Sequence, residues 1–283
     1  MACASDPAGD EDWMAALPDA TLISELTLPG THDAGAIHEP AAGIAKTQTL
    51  TFAEQLSAGV RYFDVRCRNF SDQFLIYHGS IDQDQTFDDV VATMVGFLAA
   101  HPTETIVISI KEELAAQGAT LSFEQVFASY VAAQPDRWAL GTTIPTLGAA
   151  RGKLVLLRRF DASAAIGIDA HPAIWTDNAT FSITGDTALR IEDEYIVSDD
   201  ALKWAAITSL FGEAHAGSDP AELYLAYTSG YQMQMGLPNI PSVSDAINAM
   251  LDTEFASPAA TRYGIVVMDF VTAARVHAVL SAN

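Results

Sequence analysis

The chain has 283 residues, of which 49% are hydrophobic and 18% are charged. This composition supplies enough apolar material for a large core and gives no sign of disorder. Its 14 Lys and Arg residues stand against 36 Asp and Glu residues, for a formal net charge of -22. Because such a charge repels the phosphates of nucleic acids, nucleic-acid binding is excluded as a function class.

Short β-rich runs alternate along the chain with helical patterns, and we take them in order. Eight strands are predicted, at 21–28, 60–67, 74–78, 105–111, 153–160, 192–198, 222–229 and 264–271. Five helices are predicted between or after them, at 51–58, 87–100, 123–133, 242–251 and 273–280.

Three of the strands, TIVISI, KLVLL and GIVVM, are apolar almost throughout, which is typical of parallel strands covered by helices on the outside. We therefore predict an α/β fold, a distorted, partly open (β/α)8 TIM-type barrel. The distortion is expected between 60–67 and 74–78, where the short turn NFSD cannot hold a crossover helix. One domain is predicted over 1–283, with 1–20 as an N-terminal tail and lead-in segment.

Ionisable residues end several of these strands, and the carboxyl ends of barrel strands are where active sites form. They are His32, Asp33, Asp64, Arg66, His78, Lys111, Arg158, Arg159, Asp193, Tyr195 and Asp269. Two histidines, several cations and several carboxylates at one mouth form the set needed to hold a phosphate ester and to move a proton on each side of it.

Chemistry assigns roles within this set. One imidazole can take a proton from an attacking hydroxyl while the other gives a proton to a leaving oxygen. Each imidazole needs a carboxylate to fix its tautomer, and Asp33 and Asp269 are available as partners. An arginine would hold the phosphoryl oxygens. The sequence therefore predicts acid/base cleavage of a phosphodiester.

Seven segments carry a family resemblance, in the order LTLPGTHDAGA, AGVRYFDVRCR, LIYHGSI, HPTETIVISIKEE, GKLVLLRRF, AIWTDNATF and EDEYIVS. They resemble the bacterial-type phosphatidylinositol-specific phospholipases C, which are X-domain-like phosphodiesterases. The resemblance runs from Leu22 to Val271, and its most specific parts are PGTHD, FDVR and the later HG.

The resemblance implies a role for each matching residue. It implies that His32 is the general base for the inositol 2-hydroxyl with Asp269 as its partner, and that His78 is the general acid coupled to Asp33. Arg66 matches the arginine that contacts the phosphate. Four further residues match positions that bind the inositol ring: Lys111, Arg159, Asp193 and Tyr195. The implied products are diacylglycerol and a 1,2-cyclic inositol phosphate, with glycosylphosphatidylinositol as a second substrate.

We expect no metal and no cofactor. Calcium-dependent relatives gather carboxylates and an asparagine beside the phosphate. Here Asp33 takes the place of that asparagine, and Arg66 and Lys111 occupy places where acidic ligands would be expected, so that a guanidinium replaces the ion. Asp64 leaves room for a weakly bound calcium.

The region facing the membrane departs from the family pattern, because AAGIAKTQTL has no aromatic residue. A rim loop at 230–241 offers an apolar alternative for weak, peripheral contact through Tyr231, Met233, Met235, Leu237 and Ile240. We expect a secreted monomer, although no signal sequence is visible in this chain.

Alternative functions stay open at this point. A related barrel phosphodiesterase could act on another head group, as a glycerophosphodiesterase or sphingomyelinase D does, or a variant could depend on calcium. A non-catalytic binder of inositol lipids would keep the barrel without turnover. A glycosidase using Glu112 and Asp269 would explain neither the histidines nor the arginines.

Overall fold

The computed structural model describes residues 10–259 and 261–283, and residues 1–9 of the predicted tail lie outside this range. The strands are β1 (Leu28–Thr31), β2 (Tyr62–Phe70), β3 (Gln73–His78), β4 (Ile81–Thr86), β5 (Ile106–Gln117), β6 (Trp138–Ala139), β7 (Leu154–Arg159), β8 (Ile168–Asp169), β9 (Ala179–Ile183), β10 (Leu189–Asp193), β11 (Leu223–Tyr227), β12 (Gln232–Gln234), β13 (Leu237–Asn239) and β14 (Ile265–Met268). The α-helices are α1 (Phe52–Ser57), α2 (Phe87–Ala100), α3 (Phe123–Ala133), α4 (Leu147–Ala150), α5 (Asp200–Ala216), α6 (Pro241–Glu254) and α7 (Ala273–Leu280). Short 3-10 helices lie at Asp10–Ala16, Ile23–Glu25 and Pro135–Arg137.

The central sheet is curled and has the strand order β6-β7-β5-β2-β1-β14-β11-β10-β9. All neighbours in this order are parallel except β10 and β9, which are antiparallel. Among the described residues no strand pairing joins β9 to β6 or β8, and the barrel is open along that seam. Two side-chain hydrogen bonds cross near it, from Thr187 Oγ1 to the Thr142 carbonyl (3.0 Å) and from Thr142 Oγ1 to Asp186 (2.6 Å). The prediction of a distorted, partly open barrel is confirmed.

Apolar side chains on both faces of the strands account for their near-continuous hydrophobic sequence. Tyr62, Val107 and Val155 belong to the cluster inside the barrel. Their chain neighbours Phe63 and Ile108 belong to the layer between the sheet and the helices. Since successive residues of a strand point to opposite faces, both faces must be apolar to be buried.

The predicted helices 87–100, 123–133 and 273–280 match α2, α3 and α7. The side chain of Thr86 accepts from the backbone N–H of Asp89 at the start of α2, which is the cap expected of a threonine there. The sequence analysis missed α5, whose 17 residues begin after Asp199. Asp199 accepts from the backbone N–H groups of Ala201 and Leu202, so an N-cap signal was present in the sequence.

Two predicted strands were placed wrongly. Residues 21–28 were predicted to be a strand, but the 3-10 helix Ile23–Glu25 fills this stretch and β1 starts only at Leu28. The Glu25 carboxylate accepts from the Leu22 backbone N–H (2.8 Å) and thereby favours the turn. The strand predicted at 192–198 lies earlier, as β10, and ends at Asp193.

The predicted strand 74–78 is correct as β3, but it is not a barrel strand. It pairs antiparallel with the extended end of β2, and β4 then pairs with β3. Together with the end of β5 these strands form a ribbon that continues the sheet beyond the barrel, and His78 lies at the end of β3. In the described part of the chain, no helix is long and apolar enough to cross a bilayer.

Candidate active site

A cavity of about 460 Å³ lies at the carboxyl ends of the parallel strands. Seven of the nine predicted site residues line it: His32, Arg66, His78, Lys111, Arg159, Asp193 and Tyr195. The other two, Asp33 and Asp269, are buried behind its wall and are 0% and 1% exposed. The structure thus brings the predicted residues to one place.

On one side of the cavity His32 lies between a carboxylate and a guanidinium. Its Nδ1 is 2.8 Å from Asp269 Oδ1, and its Nε2 is 2.7 Å from Arg66 Nη2. Because a guanidinium can only donate, Nε2 must be the accepting nitrogen and Nδ1–H must donate to Asp269. This is the tautomer in which Nε2 can take up a proton.

On the other side, His78 Nδ1 donates to the Ala45 carbonyl oxygen at 2.5 Å. The predicted partner, Asp33, is near, with its Oδ2 at 3.5 Å from the same nitrogen, but the closer contact belongs to the carbonyl. Neither carboxylate oxygen of Asp33 accepts a hydrogen bond from a described residue. Burial raises the pKa of Asp33 above its ordinary value, against the opposing effects of His78 and Arg66.

Arg66 lies among three carboxylates. Its Nε and Nη2 both donate to Asp64 Oδ2 at 3.1 Å, while its Nη1 is 3.6 Å from Asp33 and 3.5 Å from Glu113. Burial by itself would raise the pKa of Asp64, but Arg66 and Arg159 hold that pKa well below its ordinary value. The guanidinium is therefore fixed by Asp64, and its charge lies between the two histidines.

Glu113 is a site residue that the sequence analysis did not name. Its carboxylate accepts from Lys111 Nζ (2.6 Å) and from the Gly79 backbone N–H (2.9 Å). Burial favours its neutral form, yet Arg66 and Lys111 outweigh burial and bring the pKa of Glu113 to about 2. The signal was its position in β5, two residues after Lys111 and therefore on the same face.

A third wall combines cations, acids and aromatic rings. The guanidinium carbon of Arg159 lies 3.6 Å from the centre of the Trp175 ring, a close cation–π contact. Trp175 Nε1 donates to Asp193 Oδ2 (3.0 Å), and Tyr195 Oη donates to Asp177 (2.8 Å). Trp175 was missed as a site residue, although its segment AIWTDNATF carries part of the family resemblance.

Arg158, which also ends a predicted strand, points elsewhere. Its side chain donates to the carbonyl oxygens of Ile166 and Phe160 and to Asp169, and it does not line the cavity. Arg158 and Arg159 are neighbours in β7 and face opposite sides of the sheet.

Among the described residues, no group of three or more His, Cys, Asp or Glu side chains is arranged to hold a metal ion. The carboxylates of Asp33, Asp64 and Glu113 are near one another, but the Arg66 guanidinium lies between them. This is the position at which an ion would otherwise meet their oxygens.

The rim loop forms a hairpin of β12 and β13 beside the cavity. Met233, Met235 and Leu237 at its tip are 57%, 105% and 55% exposed. Ile240 is only 5% exposed and Tyr231 lines the cavity, so these two are not part of the exposed tip. Ile196, which was not predicted, adds a further apolar side chain because its backbone bridges to Tyr231.

Comparison with known proteins finds similar phosphatidylinositol-specific phospholipases C. The family model for "Phosphatidylinositol-specific phospholipase C, X domain" matches residues 39–160. The chain is 28% identical over 275 residues to the 1-phosphatidylinositol phosphodiesterase of Staphylococcus aureus (strain Newman), covering 92% of this chain and 88% of the relative. It is 35% identical over 159 residues to the Listeria monocytogenes enzyme of the same name, covering 52% of this chain and 48% of the relative.

Solved structures extend the likeness to the whole fold. A mutant of the phosphatidylinositol-specific phospholipase C from Staphylococcus aureus superposes with a TM-score of 0.89 at 26% identity, covering 99% of both chains. The corresponding Listeria monocytogenes enzyme has the same fold, with a TM-score of 0.77 at 24% identity and coverage of 98% of this chain and 99% of that chain. The chain is therefore similar in sequence and fold to bacterial phosphatidylinositol-specific phospholipases C, and its residues 39–160 match the X-domain model of that family.

Proposed function

We propose that this protein is a phosphatidylinositol-specific phospholipase C that releases diacylglycerol and a 1,2-cyclic inositol phosphate. The observation that carries the proposal is that His32, His78 and Arg66 line one cavity, with a buried carboxylate behind each histidine. The family relationship supports the substrate class, since the relatives from two organisms are named 1-phosphatidylinositol phosphodiesterase.

In the proposed reaction His32 Nε2 takes the proton of the inositol 2-hydroxyl, and that oxygen attacks phosphorus. The bond from phosphorus to the glycerol oxygen breaks, and protonated His78 gives this oxygen a proton. Asp269 stabilises the imidazolium that forms at His32, and Asp33 supports the cationic form of His78. Atoms and charge balance within the substrate and the two imidazoles.

Arg66 supplies the positive charge that the phosphoryl oxygens require as they gain negative charge. Its contact with Asp64 fixes the guanidinium before substrate arrives. No metal ion or other cofactor has a part in this scheme.

The remaining polar wall suits a ring with many hydroxyl groups. Lys111, Arg159 and Asp193 offer donors and an acceptor around the cavity, and the ring of Tyr195 offers a face for stacking. The volume of about 460 Å³ is in the usual range for a small-molecule site. Glycosylphosphatidylinositol presents the same inositol phosphate, and the proposal includes it as a substrate.

We also propose weak, peripheral membrane contact through the tip of the hairpin at Met233, Met235 and Leu237. Their exposure beside the cavity supports this placement, since a lipid substrate must reach the site from a bilayer. With a net charge of -22, the protein should prefer neutral lipid surfaces to anionic ones. We further propose that it acts outside the cell as a monomer, since one chain supplies every group that the scheme uses.

The test is phosphorus NMR of the products from phosphatidylinositol vesicles in EDTA. A 1,2-cyclic inositol phosphate signal in EDTA supports the proposal, including its metal independence. Turnover that needs added calcium would contradict the metal-free mechanism and favour the calcium-dependent alternative.

Two further outcomes would overturn the proposed function itself. Binding of myo-inositol without turnover would identify a binder, and turnover only of glycerophosphodiesters or sphingomyelin would identify another head group. The variant His277→Ala, at a half-exposed histidine that contacts Asp10, serves as the control for histidine replacement in general.

A further inference from the structure

A short segment, Ala45–Gln48, is buried except at Lys46 and contacts the backbone or side chains on both sides of the active site. Ala45, Thr47 and Gln48 are 1%, 0% and 0% exposed. The segment has no regular secondary structure, and none of its side chains lines the cavity. We call it the strap.

Gln48 bridges the ends of β1 and β14. Its Nε2 donates to the carbonyl oxygens of His32 (3.0 Å) and Met268 (2.8 Å), and its Oε1 accepts from the Val271 backbone N–H (3.2 Å). One carbonyl belongs to His32 itself, and the other two groups flank Asp269. All of the side-chain hydrogen bonds that Gln48 makes are thus directed to the backbone around the His32–Asp269 pair.

Thr47 and Ala45 contact the other side of the active site, at Asp33 and His78. Thr47 Oγ1 donates to the Asp33 carbonyl oxygen (2.9 Å), and the Ala45 carbonyl oxygen accepts from His78 Nδ1 (2.5 Å). The Thr47 carbonyl oxygen also accepts from the backbone N–H of Phe270 (2.7 Å), the residue that follows Asp269. The strap therefore contacts the backbone at His32 and Asp33 and on either side of Asp269. It also contacts the imidazole of His78.

Glu39 holds the beginning of this arrangement. Its Oε2 accepts from the backbone N–H groups of Gly43 (2.9 Å), Lys46 (3.1 Å) and Ala45 (3.4 Å). The loop that leads into the strap is thereby ordered by a carboxylate that has no contact with the cavity.

We propose that Gln48 is a positioning residue that sets the distance between His32 and Asp269. The proposal rests on the proposed function for its consequence, because the pair is the general base of that reaction. Gln48 touches neither substrate nor reacting atoms. It acts by holding two strand ends together, and a displacement of about 1 Å in a catalytic pair can cost about a hundredfold in rate.

Gln55 offers a matched control. It is also 0% exposed, and its Nε2 also donates to two backbone carbonyl oxygens, those of Ala34 (2.9 Å) and Leu50 (2.7 Å). Neither carbonyl belongs to His32 or to the backbone beside Asp269. Gln55→Met and Gln48→Met therefore remove the same number of donor contacts, and Gln48→Met also removes the acceptor contact to the Val271 backbone N–H. The activities of the two variants are for this reason compared at a matched loss of stability.

The experiment compares these two variants with the wild-type protein by thermal unfolding, by kcat and KM on phosphatidylinositol, and by proton NMR of the imidazole N–H of His32. At a matched loss in Tm, Gln48→Met should lose about 10- to 100-fold in kcat beyond Gln55→Met, with KM within about twofold. The NMR signal of the Nδ1–H held by Asp269 should shift or broaden in Gln48→Met only. Equal kcat losses and an unchanged signal in both variants would overturn the proposal.

A second pair of variants covers the case in which Gln48→Met does not fold. Thr47→Val removes the hydroxyl and keeps the branched shape, whereas Thr47→Ser keeps the hydroxyl. If the strap positions the site, Thr47→Val loses kcat and Thr47→Ser retains it, and equal activity in the two variants would contradict this. A wild-type protein that makes no cyclic phosphate would refute the proposed function, and the NMR comparison would still test the strap.

Discussion

Arg66 Nη2 donates to His32 Nε2 at 2.7 Å. In the protein without substrate, the arginine that we propose to bind the phosphate therefore occupies the imidazole nitrogen that we propose as the general base. Arg66 also keeps two bonds to Asp64, and these fix the guanidinium while the contact to His32 is exchanged. An arriving phosphate competes for the same donor. Binding of the phosphate would then release His32 Nε2 at the moment when a hydroxyl is available to it.

The two histidines should be needed for turnover and not for folding. His32→Ala and His78→Ala should each lower kcat by about 10²- to 10⁴-fold, the range for loss of a general acid or base. Rates on phosphatidylinositol, with circular dichroism to verify folding, provide the measurement. His277→Ala should keep wild-type activity, and near-native turnover in either active-site variant would contradict the acid/base assignment.

Asp269→Asn should lower kcat strongly while leaving substrate binding almost unchanged. The amide can donate to Nδ1 and so favour the wrong tautomer of His32. In a Ser-His-Asp triad the same change lowers kcat by about 10⁴-fold. The matched control is Asp252→Asn, at a carboxylate that pairs with Arg275 on the surface. Steady-state kinetics that showed equal, small effects in both variants would remove Asp269 from the mechanism.

Removal of the guanidinium should turn its site into a cation site. Arg66→Ala removes the cation that Asp33, Asp64 and Glu113 share, while Lys111 stays on Glu113 and Arg159 stays near Asp64. Oxygen ligands of the kind that this change frees suit calcium. We expect a loss of about 10²- to 10³-fold in kcat, together with calcium binding that calorimetry detects in the variant and not in the wild type. Arg66→Lys should not restore activity, because an ammonium cannot form the forked contact.

Glu113 should make stability depend on pH in the acid range. Its pKa is lowered to about 2 in the folded protein, so its contribution is present above the ordinary value near 4.5 and is lost as the pH falls toward 2. Relative to Glu113→Gln, the wild type should lose about 1 kcal/mol of unfolding free energy between pH 5.5 and pH 3.5. Urea unfolding at the two pH values measures this, and a constant difference would contradict it.

The hairpin tip should matter for vesicles and not for soluble substrate. Met235→Asp should weaken binding to phosphatidylcholine vesicles by about tenfold, since burial of a Met side chain is worth about 1.5–3 kcal/mol. Hydrolysis of soluble cyclic inositol phosphate should stay unchanged. Ala149→Asp, at an exposed position of α4 before β7 and so at the opposite end of the barrel, is the control for added charge.

Residues that end apolar strands could be predicted to share one cavity, because parallel strands place their carboxyl ends together. This reasoning found Arg66, Lys111 and Arg159, whose strands are clear in the sequence, and also His32, although the strand before it was placed too early. The same reasoning listed Arg158 among the strand-end residues. Because successive residues of a strand point to opposite faces, Arg159 faces the cavity and Arg158 faces away from it.

Other features depend on contacts between distant segments, and a local pattern does not reveal them. Trp175 belongs to a loop whose course depends on Arg159 and Asp193, to which it is bound. Gln48 lies in a segment without a periodic apolar pattern, and its contacts are with backbone groups at the ends of β1 and β14. The predicted strand at 21–28 failed because a short-range bond from Leu22 to Glu25 favours a turn over an extended chain.

Asp33 has a φ of 39°, a left-handed backbone conformation that an aspartate tolerates better than most residues. The sharp turn lets two consecutive side chains reach opposite walls, His32 toward Asp269 and Asp33 toward His78. The loops at this end of the barrel therefore differ in how far their lengths can change. The hairpin at 232–239 can gain or lose residues without disturbing either proton route, whereas a single insertion between Thr31 and Ala34 would displace both.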